Sequence, residues 1–186
     1  MRLFLAVELE EELKNELLQV QKILAKSVNG GLRLLPSQNF HLTLKFMGEL
    51  DEAFLDEVKE LSSDTLKNFH PFSISLDKVG AFPPRGPLRV CWVGLKASNS
   101  TLLELAKSLN TAFEVLDIEA EKRDFQAHIS IARLSKDSDV SERIRGILPS
   151  LKIKPFSQEV KVISLFSSTL HSSGSVYELV EHFSLI

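Results

Sequence analysis

Two short stretches of this chain each carry a histidine that is followed, two residues later, by a hydroxyl side chain. The first reads F-H-L-T-L-K-F-M-G around His41 and Thr43, and the second reads Q-A-H-I-S-I-A-R around His128 and Ser130. In an extended strand, alternate side chains point to the same face, so each histidine shares a face with its hydroxyl. Apolar residues occupy the opposite face. The pattern predicts two half-buried strands that each present an imidazole and a hydroxyl on their polar side.

Two such imidazoles suit the hydrolysis of a phosphodiester. One group must take a proton from the attacking water and another must give a proton to the leaving oxygen, and histidine does both because its ordinary pKa is about 6.5. Thr43 and Ser130 lie roughly 6.5–7 Å along the strand from their histidines, so their hydroxyls could donate to the same phosphate. One H-x-(Ser/Thr) motif alone is common on structural strands. Its repetition in two comparable settings favours a shared site.

The remaining chemistry-bearing residues do not indicate a metal or cofactor. The chain has no H-E-x-x-H segment and no Cys, Asp or Glu cluster at ligand spacing, so we expect no metal ion and no cofactor. The single cysteine, Cys91, excludes an internal disulfide and is interpreted as a small buried hydrophobe.

Composition limits the partners that the protein can have. The chain has 186 residues, 44% hydrophobic and 25% charged, as in an ordinary globular protein, and a formal net charge of -3. That charge argues against broad electrostatic binding of long nucleic acid but leaves room for a small basic pocket. No apolar run approaches the ~20 residues that cross a bilayer, and the N-terminal apolar run is too short for a secretory signal. We therefore expect a cytoplasmic monomer with no membrane contact and no obligate protein partner.

Periodicity predicts the elements that position the two histidine strands. Apolar residues at helical spacing alternate with extended segments, giving the order β-α-β-β-α-β-β-β-α-β-α-β-β. We expect an α+β fold in which two pseudo-symmetric lobes of antiparallel sheet carry helices on their outer faces and enclose a central cleft. No linker interrupts the chain, so residues 1–186 are predicted to form a single bilobal domain. The predicted helices are 10–28, a second helix that Asp51 caps and that has an apolar stripe from Phe54 to Leu61, 100–116 and 140–148. The predicted strands are 2–9, 33–35, 40–48, 72–76, 79–82, 88–95, 126–133, 159–170 and 176–183.

Three segments together resemble a known family. They are R-L-L-P-S-Q-N-F-H-L-T-L-K-F-M-G-E-L, V-G-A-F-P-P-R-G-P-L-R-V-C-W-V-G-L and A-H-I-S-I-A-R, and they look like the two-histidine phosphoesterases. Within that superfamily the chain is most similar to the RNA 2',3'-cyclic phosphodiesterases, historically called 2'-5' RNA ligases, over nearly its whole length. The resemblance implies that His41 and His128 are the catalytic pair, that Thr43 and Ser130 hold the phosphate, and that Arg133 adds charge-assisted contacts.

The resemblance also implies a reaction. Such enzymes open a terminal 2',3'-cyclic phosphate to a 2'-phosphate, acting on RNA ends or small cyclic nucleotides without a metal, and some join RNA ends through a 2'-5' bond. For hydrolysis we assign His128 as the base and His41 as the acid. The alternative is a non-catalytic module of the same fold that binds a nucleotide or RNA through the same phosphate contacts.

Strand alternation makes further predictions about neighbouring side chains. By simple alternation, Arg133 lies on the opposite face of the strand from His128. It can therefore join the site only if the strand ends, bulges or twists near Ala132. Lys45 is predicted to lie on the same face of its strand as His41. Phe46 is predicted to lie on the opposite face and to pack in the core. Trp92 is also predicted to be a core residue, and Phe82 is a possible stacking surface for a nucleobase.

Overall fold

The computed structural model describes residues 1–28, 30–97, 100–134, 138–172 and 174–186. Two antiparallel sheets and four helices account for most of these residues, so the predicted α+β fold is confirmed. The helices are α1 (Glu11–Ser27), α2 (Leu55–Leu66), α3 (Thr101–Ala112) and α4 (Ser138–Ile147). The strands are β1 (Arg2–Glu8), β2 (Leu32–Leu34), β3 (His41–Glu49), β4 (Phe72–Phe82), β5 (Val90–Ala97), β6 (His128–Leu134), β7 (Ser157–Val160), β8 (Val162–His171) and β9 (Gly174–Ser184).

The two histidine strands lie in different sheets. Sheet 1 has the strand order β3-β1-β8-β9, and sheet 2 has the order β2-β6-β5-β4-β7. Every pairing in both sheets is antiparallel. Strands β3 and β6 also contact each other, although they share no sheet. The sheets therefore meet along the two strands that carry the H-x-(Ser/Thr) motifs.

The helices cover the faces of the sheets that turn away from this meeting line. Helix α1 contacts β2 and β6 of sheet 2 and packs beside α4, whereas α2 contacts β9 and α3 contacts β3 of sheet 1. Helix α1 buries a stripe at helical spacing, Leu13, Leu17, Val20 and Leu24. The chain leaves β1 of sheet 1 to form α1 over sheet 2, and it leaves β5 of sheet 2 to form α3 over sheet 1. Each lobe is thus completed by a helix that follows a strand of the other.

Residues 159–170 do not form one strand, as the alternation had predicted. Strand β7 pairs with β4 in sheet 2, and β8 pairs with β1 in sheet 1, with Lys161 between them. The chain changes sheets at that residue, which a run of alternating side chains cannot reveal. Gln158 of β7 joins the sheets there, because its amide nitrogen donates to Glu8 O at 2.8 Å and its oxygen accepts from Glu10 N at 3.0 Å.

Other boundaries depart less from the prediction. Asp51 caps the turn before α2, accepting from Ala53 N at 3.0 Å, although α2 itself begins at Leu55. The predicted strands 72–76 and 79–82 are one strand, β4, with a register shift between Leu76 and Val79. The side chain of Ser100, which precedes α3, makes no capping hydrogen bond.

Strand β3 contains one extra residue directly after its hydroxyl. Across the β1–β3 pair, Ala6 faces Thr43 but Leu5 faces Lys45, so Leu44 has no partner on β1. Such a β-bulge reverses the alternation of side chains beyond it. Lys45 and Phe46 therefore lie on the faces opposite to those that simple alternation predicts, before a second register shift leaves Met47 without a partner on β1.

Strand β6 contains the same irregularity at the same place in its motif. Across the β5–β6 pair, Trp92 faces Ser130 but Cys91 faces Ala132, so Ile131 is the extra residue. In each strand the bulge follows the hydroxyl, and in each the fifth residue after the histidine returns to the histidine's face.

A buried glutamine on α1 holds the β6 bulge. Gln21 is 4% exposed, and its amide nitrogen donates to Leu35 O at 2.7 Å and to Ile131 O at 2.5 Å. Leu35 N also donates to Ile131 O, at 2.9 Å. The Ile131 carbonyl at the bulge thus accepts two hydrogen bonds inside the protein.

Within the described residues, no helix is both long enough and apolar enough to cross a membrane.

We predict that replacing Gln21 with Met lowers the free energy of unfolding by about 1–3 kcal/mol, because it removes two donors from buried carbonyls. Urea denaturation would measure the change. The matched control is Gln19→Met, the same substitution at an exposed position of the same helix, where we expect about 0.5 kcal/mol or less. Equal stability of the Gln21 and Gln19 variants would contradict the role assigned to the buried amide.

Candidate active site

His41 and His128 lie on the facing surfaces of the two sheets. Each begins its strand, β3 and β6 respectively, and these strands contact each other. Both imidazoles are partly exposed, and they are close enough for the charge of His128 to influence the pKa of His41. The structure therefore brings the two predicted residues to one cleft and leaves both accessible. Their catalytic role stays a prediction.

Each of the two imidazoles is held by a hydrogen bond of the same kind, from Nδ1 to a backbone carbonyl. His41 Nδ1 lies 2.8 Å from Asn39 O, and His128 Nδ1 lies 2.7 Å from Gln126 O. A carbonyl oxygen only accepts, so in each ring Nδ1 carries the hydrogen and donates it. The other nitrogen, Nε2, is then the one that can accept or donate a proton in the cleft. Each carbonyl belongs to the residue two positions before its histidine, so the motif orients its own imidazole.

Two aromatic rings enclose His41. The Phe4 ring centroid lies 4.9 Å from that of His41, and the Tyr177 ring meets the imidazole edge-on at 5.1 Å. This burial lowers the pKa of His41 from 6.5 to about 4; the Asn39 carbonyl opposes the shift, and the positive charge of His128 adds to it. His41 is consequently a neutral imidazole near pH 7.

His128 also packs against two rings of its own sheet. Phe82 meets it edge-on at 5.2 Å, and Trp92 lies 6.2 Å away between ring centroids. The indole covers Gly80, where an added Cβ would come within 2.3 Å of the Trp92 ring. Trp92 shares the face of Ser130, its partner across β5 and β6, and is partly exposed. The prediction that Trp92 is a core residue is therefore wrong, and a glycine gives its ring room on the cleft side.

The predicted phosphate ligands lie on the histidine faces. The Thr43 and Ser130 hydroxyls are partly exposed, and neither has a hydrogen-bond partner among the described residues. The bulge at Ile131 places Arg133 on the same face as His128, so the condition for Arg133 to join the site is met. Its exposed guanidinium forms no ion pair within the described parts of the chain. Phosphate binding by these three residues remains a prediction.

Lys45 does not reach the cleft, because the bulge turns it to the helix side of sheet 1. Its side chain is 4% exposed, and Nζ donates to Asn110 Oδ1 at 2.9 Å and to Glu119 O at 3.0 Å. Burial lowers the pKa of this amine, while Glu121 and Glu114 oppose the shift. The prediction that Lys45 lies on the same face as His41 is therefore wrong. Instead, the lysine binds α3 through Asn110 and the loop after α3 through Glu119.

The same bulge brings Phe46 to the cleft side. Phe46 is 48% exposed, lies opposite Phe4 across the β1–β3 pair, and has Arg2 Cζ at 5.3 Å from its ring centroid. The prediction that Phe46 packs in the core is wrong for this reason. Phe46 occupies the position in the first motif that Arg133 occupies in the second, so the two related motifs place unlike side chains around the site.

Sequence reasoning missed two residues that position His41. Asn39 holds the imidazole through its carbonyl, and its side-chain nitrogen donates to Ser175 O at 2.9 Å. Tyr177, the chain's single tyrosine, packs on the ring from β9. The Asn39–Ser175 hydrogen bond and the Tyr177–His41 contact each join segments separated by more than 130 residues, so no local spacing could have indicated them.

Among the side chains that the structure describes, no three from His, Cys, Asp and Glu lie close enough together to hold a metal ion.

We predict that the free energy of unfolding falls as the pH decreases from about 6.5 to about 4. The unfolded chain binds a proton at the ordinary histidine pKa, whereas folded His41 binds one only near pH 4. Urea denaturation at pH 7 and pH 5 should therefore show a smaller loss of stability in His41→Gln than in wild type. The control is His171→Gln at an exposed position, which should keep the wild-type dependence. An NMR titration that places the pKa of His41 near 6.5 would contradict this account.

Known proteins resemble the chain over its full length. The family model for LigT-like phosphoesterases matches residues 7–92 and again residues 93–177, one match for each motif-bearing half. RNA 2',3'-cyclic phosphodiesterases of Methanocaldococcus jannaschii and Archaeoglobus fulgidus are 32% and 33% identical to the chain. These alignments cover 97% and 96% of this chain and 99% and 97% of the relatives.

Solved structures have the same fold. The crystal structure of TT0787 from Thermus thermophilus superposes with a TM-score of 0.81 at 30% identity, covering 100% of this chain and 98% of that one. Escherichia coli LigT complexed with 3'-AMP superposes with a TM-score of 0.76 at 21% identity, over 99% of this chain and 96% of that one. Together with the facing histidines, these similarities confirm the resemblance found in the sequence: the chain belongs to the LigT-like phosphoesterase family.

Proposed function

We propose that this protein is a metal-independent RNA 2',3'-cyclic phosphodiesterase that hydrolyses a terminal 2',3'-cyclic phosphate to a 2'-phosphate. The observation that carries the proposal is the pair of imidazoles on facing sheets, each with Nδ1 held by a backbone carbonyl and Nε2 left for the substrate. Relatives more than 30% identical over the whole chain have this activity in their names. One chain supplies both histidines, so the proposed site needs no second subunit.

In the proposed reaction, water attacks the phosphorus and the bond to the 3'-oxygen breaks. One imidazole accepts the proton of the water through Nε2, and the other donates a proton to the departing 3'-oxygen, leaving a 2'-phosphate and a 3'-hydroxyl. The reaction needs one neutral ring and one protonated ring. Because His41 is neutral near pH 7, its lowered pKa favours His41 as the base and His128 as the acid, the reverse of the roles assigned from sequence.

Three further side chains would bind the phosphate. The Thr43 and Ser130 hydroxyls would donate to nonbridging oxygens from the two sheets, and Arg133 would neutralise charge that develops on them. These groups supply donors and one fixed positive charge, so the proposed mechanism does not route any step through a metal ion. A 5'-hydroxyl of a second RNA in place of water would yield a 2'-5' linkage, and we propose this joining as a secondary activity of the same site.

We predict that His41→Ala and His128→Ala each lower the turnover of a 2',3'-cyclic nucleotide by about 10²–10⁴-fold, the usual share of a general acid or base. The assay contains a chelator, which should leave wild-type activity unchanged. Circular dichroism would check that both variants remain folded, and His171→Ala provides an exposed histidine as the control. Binding without turnover by wild type would instead support the non-catalytic alternative.

We predict that a sulfur atom in place of the 3'-oxygen distinguishes the two roles. A thiolate leaves without protonation because a thiol has a pKa near 8.5, so this substrate should restore most of the activity lost in His128→Ala. It should not restore activity in His41→Ala, which would still lack the base. Recovery in His41→Ala alone would reverse the assignment. The two variants serve as controls for each other, since both lose one imidazole.

A further inference from the structure

A carboxylate is the direct cross-strand neighbour of His41. Glu8 ends β1 and pairs with His41, which begins β3, so the two side chains share the cleft face of sheet 1. The Cβ atoms of such partners are about 4.5–5.5 Å apart, a separation that a glutamate side chain can span. The equivalent partner of His128 across the β5–β6 pair is Gly94, which has no side chain. Of the two histidines, only His41 therefore has an ionisable group at this position.

The Glu8 carboxylate lies toward the other neighbouring strand, β8. Its Oε1 atom accepts from Ser164 Oγ at 2.6 Å, and His182 Nδ1 of β9 lies 2.9 Å from the same hydroxyl and 3.6 Å from Glu8 Oε1. A carboxylate only accepts hydrogen bonds, so the Ser164 hydroxyl gives its hydrogen to Glu8 and accepts one from His182 Nδ1. A chain of two hydrogen bonds thus ties the carboxylate to β8 and β9, on the side away from β3.

Ser164 is the buried member of this chain. It is 1% exposed, whereas the side chains of Glu8 and His182 are 54% and 52% exposed. The backbone of Glu8 is held as well, because Glu8 O accepts from Gln158 Nε2 at 2.8 Å. The freedom that remains to Glu8 is rotation of its side chain, and the buried hydroxyl is the donor that selects the rotamer turned toward β8.

Two more charged residues lie near Glu8. Glu159 and Lys161 line the same small cavity as Glu8, where the chain crosses from β7 to β8, and their side chains pair with each other at 2.8 Å. Both are exposed to solvent, which screens their charges. His182 is the titratable group that joins the hydrogen-bond chain itself.

A free carboxylate beside His41 would act against the proposed site in two ways. A negative charge within about 4–6 Å favours the protonated form of a histidine and raises its pKa, so a smaller fraction of His41 would be the neutral base. The same charge would repel the phosphate of the substrate. The other groups that face His41 are the rings of Phe4 and Tyr177 and the imidazole of His128, none of them a carboxylate.

We propose that Ser164, supported by His182, is a positioning residue that holds the Glu8 carboxylate away from His41 and keeps negative charge out of this side of the cleft. The purpose of this arrangement rests on the proposed function, because it serves a neutral base and an anionic substrate. The position of the carboxylate itself can be tested without turnover.

The test is an NMR titration of His41 in wild type, Ser164→Ala, Glu8→Gln and the double variant. We expect Ser164→Ala, which frees the carboxylate, to raise the pKa of His41 from about 4 to about 5 or higher. Glu8→Gln should leave the pKa unchanged, and the double variant should return it to the wild-type value because the charge is gone. Ser157→Ala, at an exposed position of β7, is the matched control and should have no effect.

The double variant separates this role from a merely structural one. If the pKa of His41 were equally raised in Ser164→Ala and in the double variant, loosened packing would be the cause and the assignment would be overturned, as it would be by no rise in either. Should circular dichroism show that Ser164→Ala is unfolded, Glu8→Gln decides. An unchanged pKa of His41 in that variant supports the proposal, and a lowered one contradicts it, because Glu8 would then already act on His41.

The pH dependence of kcat/KM for a 2',3'-cyclic nucleotide provides a second readout. Its acidic limb reports the base, so it should move to higher pH by about one unit in Ser164→Ala and return in the double variant. If wild type does not hydrolyse the nucleotide, the proposed function fails, while the NMR titrations still decide the role of Ser164.

Discussion

One extra residue in each histidine strand is the constraint on which the geometry of the cleft depends. Leu44 in β3 and Ile131 in β6 interrupt the ladder directly after the hydroxyl of each motif. A buried carbonyl needs hydrogen-bond partners, and at the β6 bulge Ile131 O accepts from both Leu35 N and the buried amide of Gln21. The bulge determines where Arg133 lies, because it returns this side chain to the face of His128. Without it, the arginine would point into the helix layer.

The two halves of the cleft share a plan but differ in charge. Each contributes an imidazole fixed by a carbonyl, a hydroxyl and a bulge, as the twofold match of the family model to the chain would suggest. Sheet 1 then adds Phe46 and encloses His41 with aromatic rings, which lowers the pKa of His41 to about 4. Sheet 2 adds Arg133 on the face of His128. The lowered pKa of His41 fits the neutral base of the proposed acid–base pair.

Segments that cross from one sheet to the other hold the two sheets in a fixed relative position. Strand β7 belongs to sheet 2 but is followed at once by β8 of sheet 1, and Gln158 of β7 bonds to the backbone at the end of β1 of sheet 1, to Glu8 O and Glu10 N. At the other end of the cleft, Asn39 connects the β8–β9 hairpin to His41. The proposed catalytic pair comes from two separate sheets and depends on such links, since a small shift between the sheets would separate the imidazoles.

The sequence by itself determined the elements and the chemistry. Alternation in F-H-L-T-L and A-H-I-S-I identified the two strands and the face that each histidine shares with its hydroxyl, and these contacts are local, within two or three residues. Helical spacing located the four helices for the same reason. Only the tertiary structure decided what lies beyond the bulges, because a bulge is a property of a strand pair rather than of one strand. That is why the faces of Lys45 and Phe46 were missed. The sheet change at Lys161 and the aromatic enclosure of His41, whose rings come from opposite ends of the chain, depend on contacts between distant segments and could not be predicted.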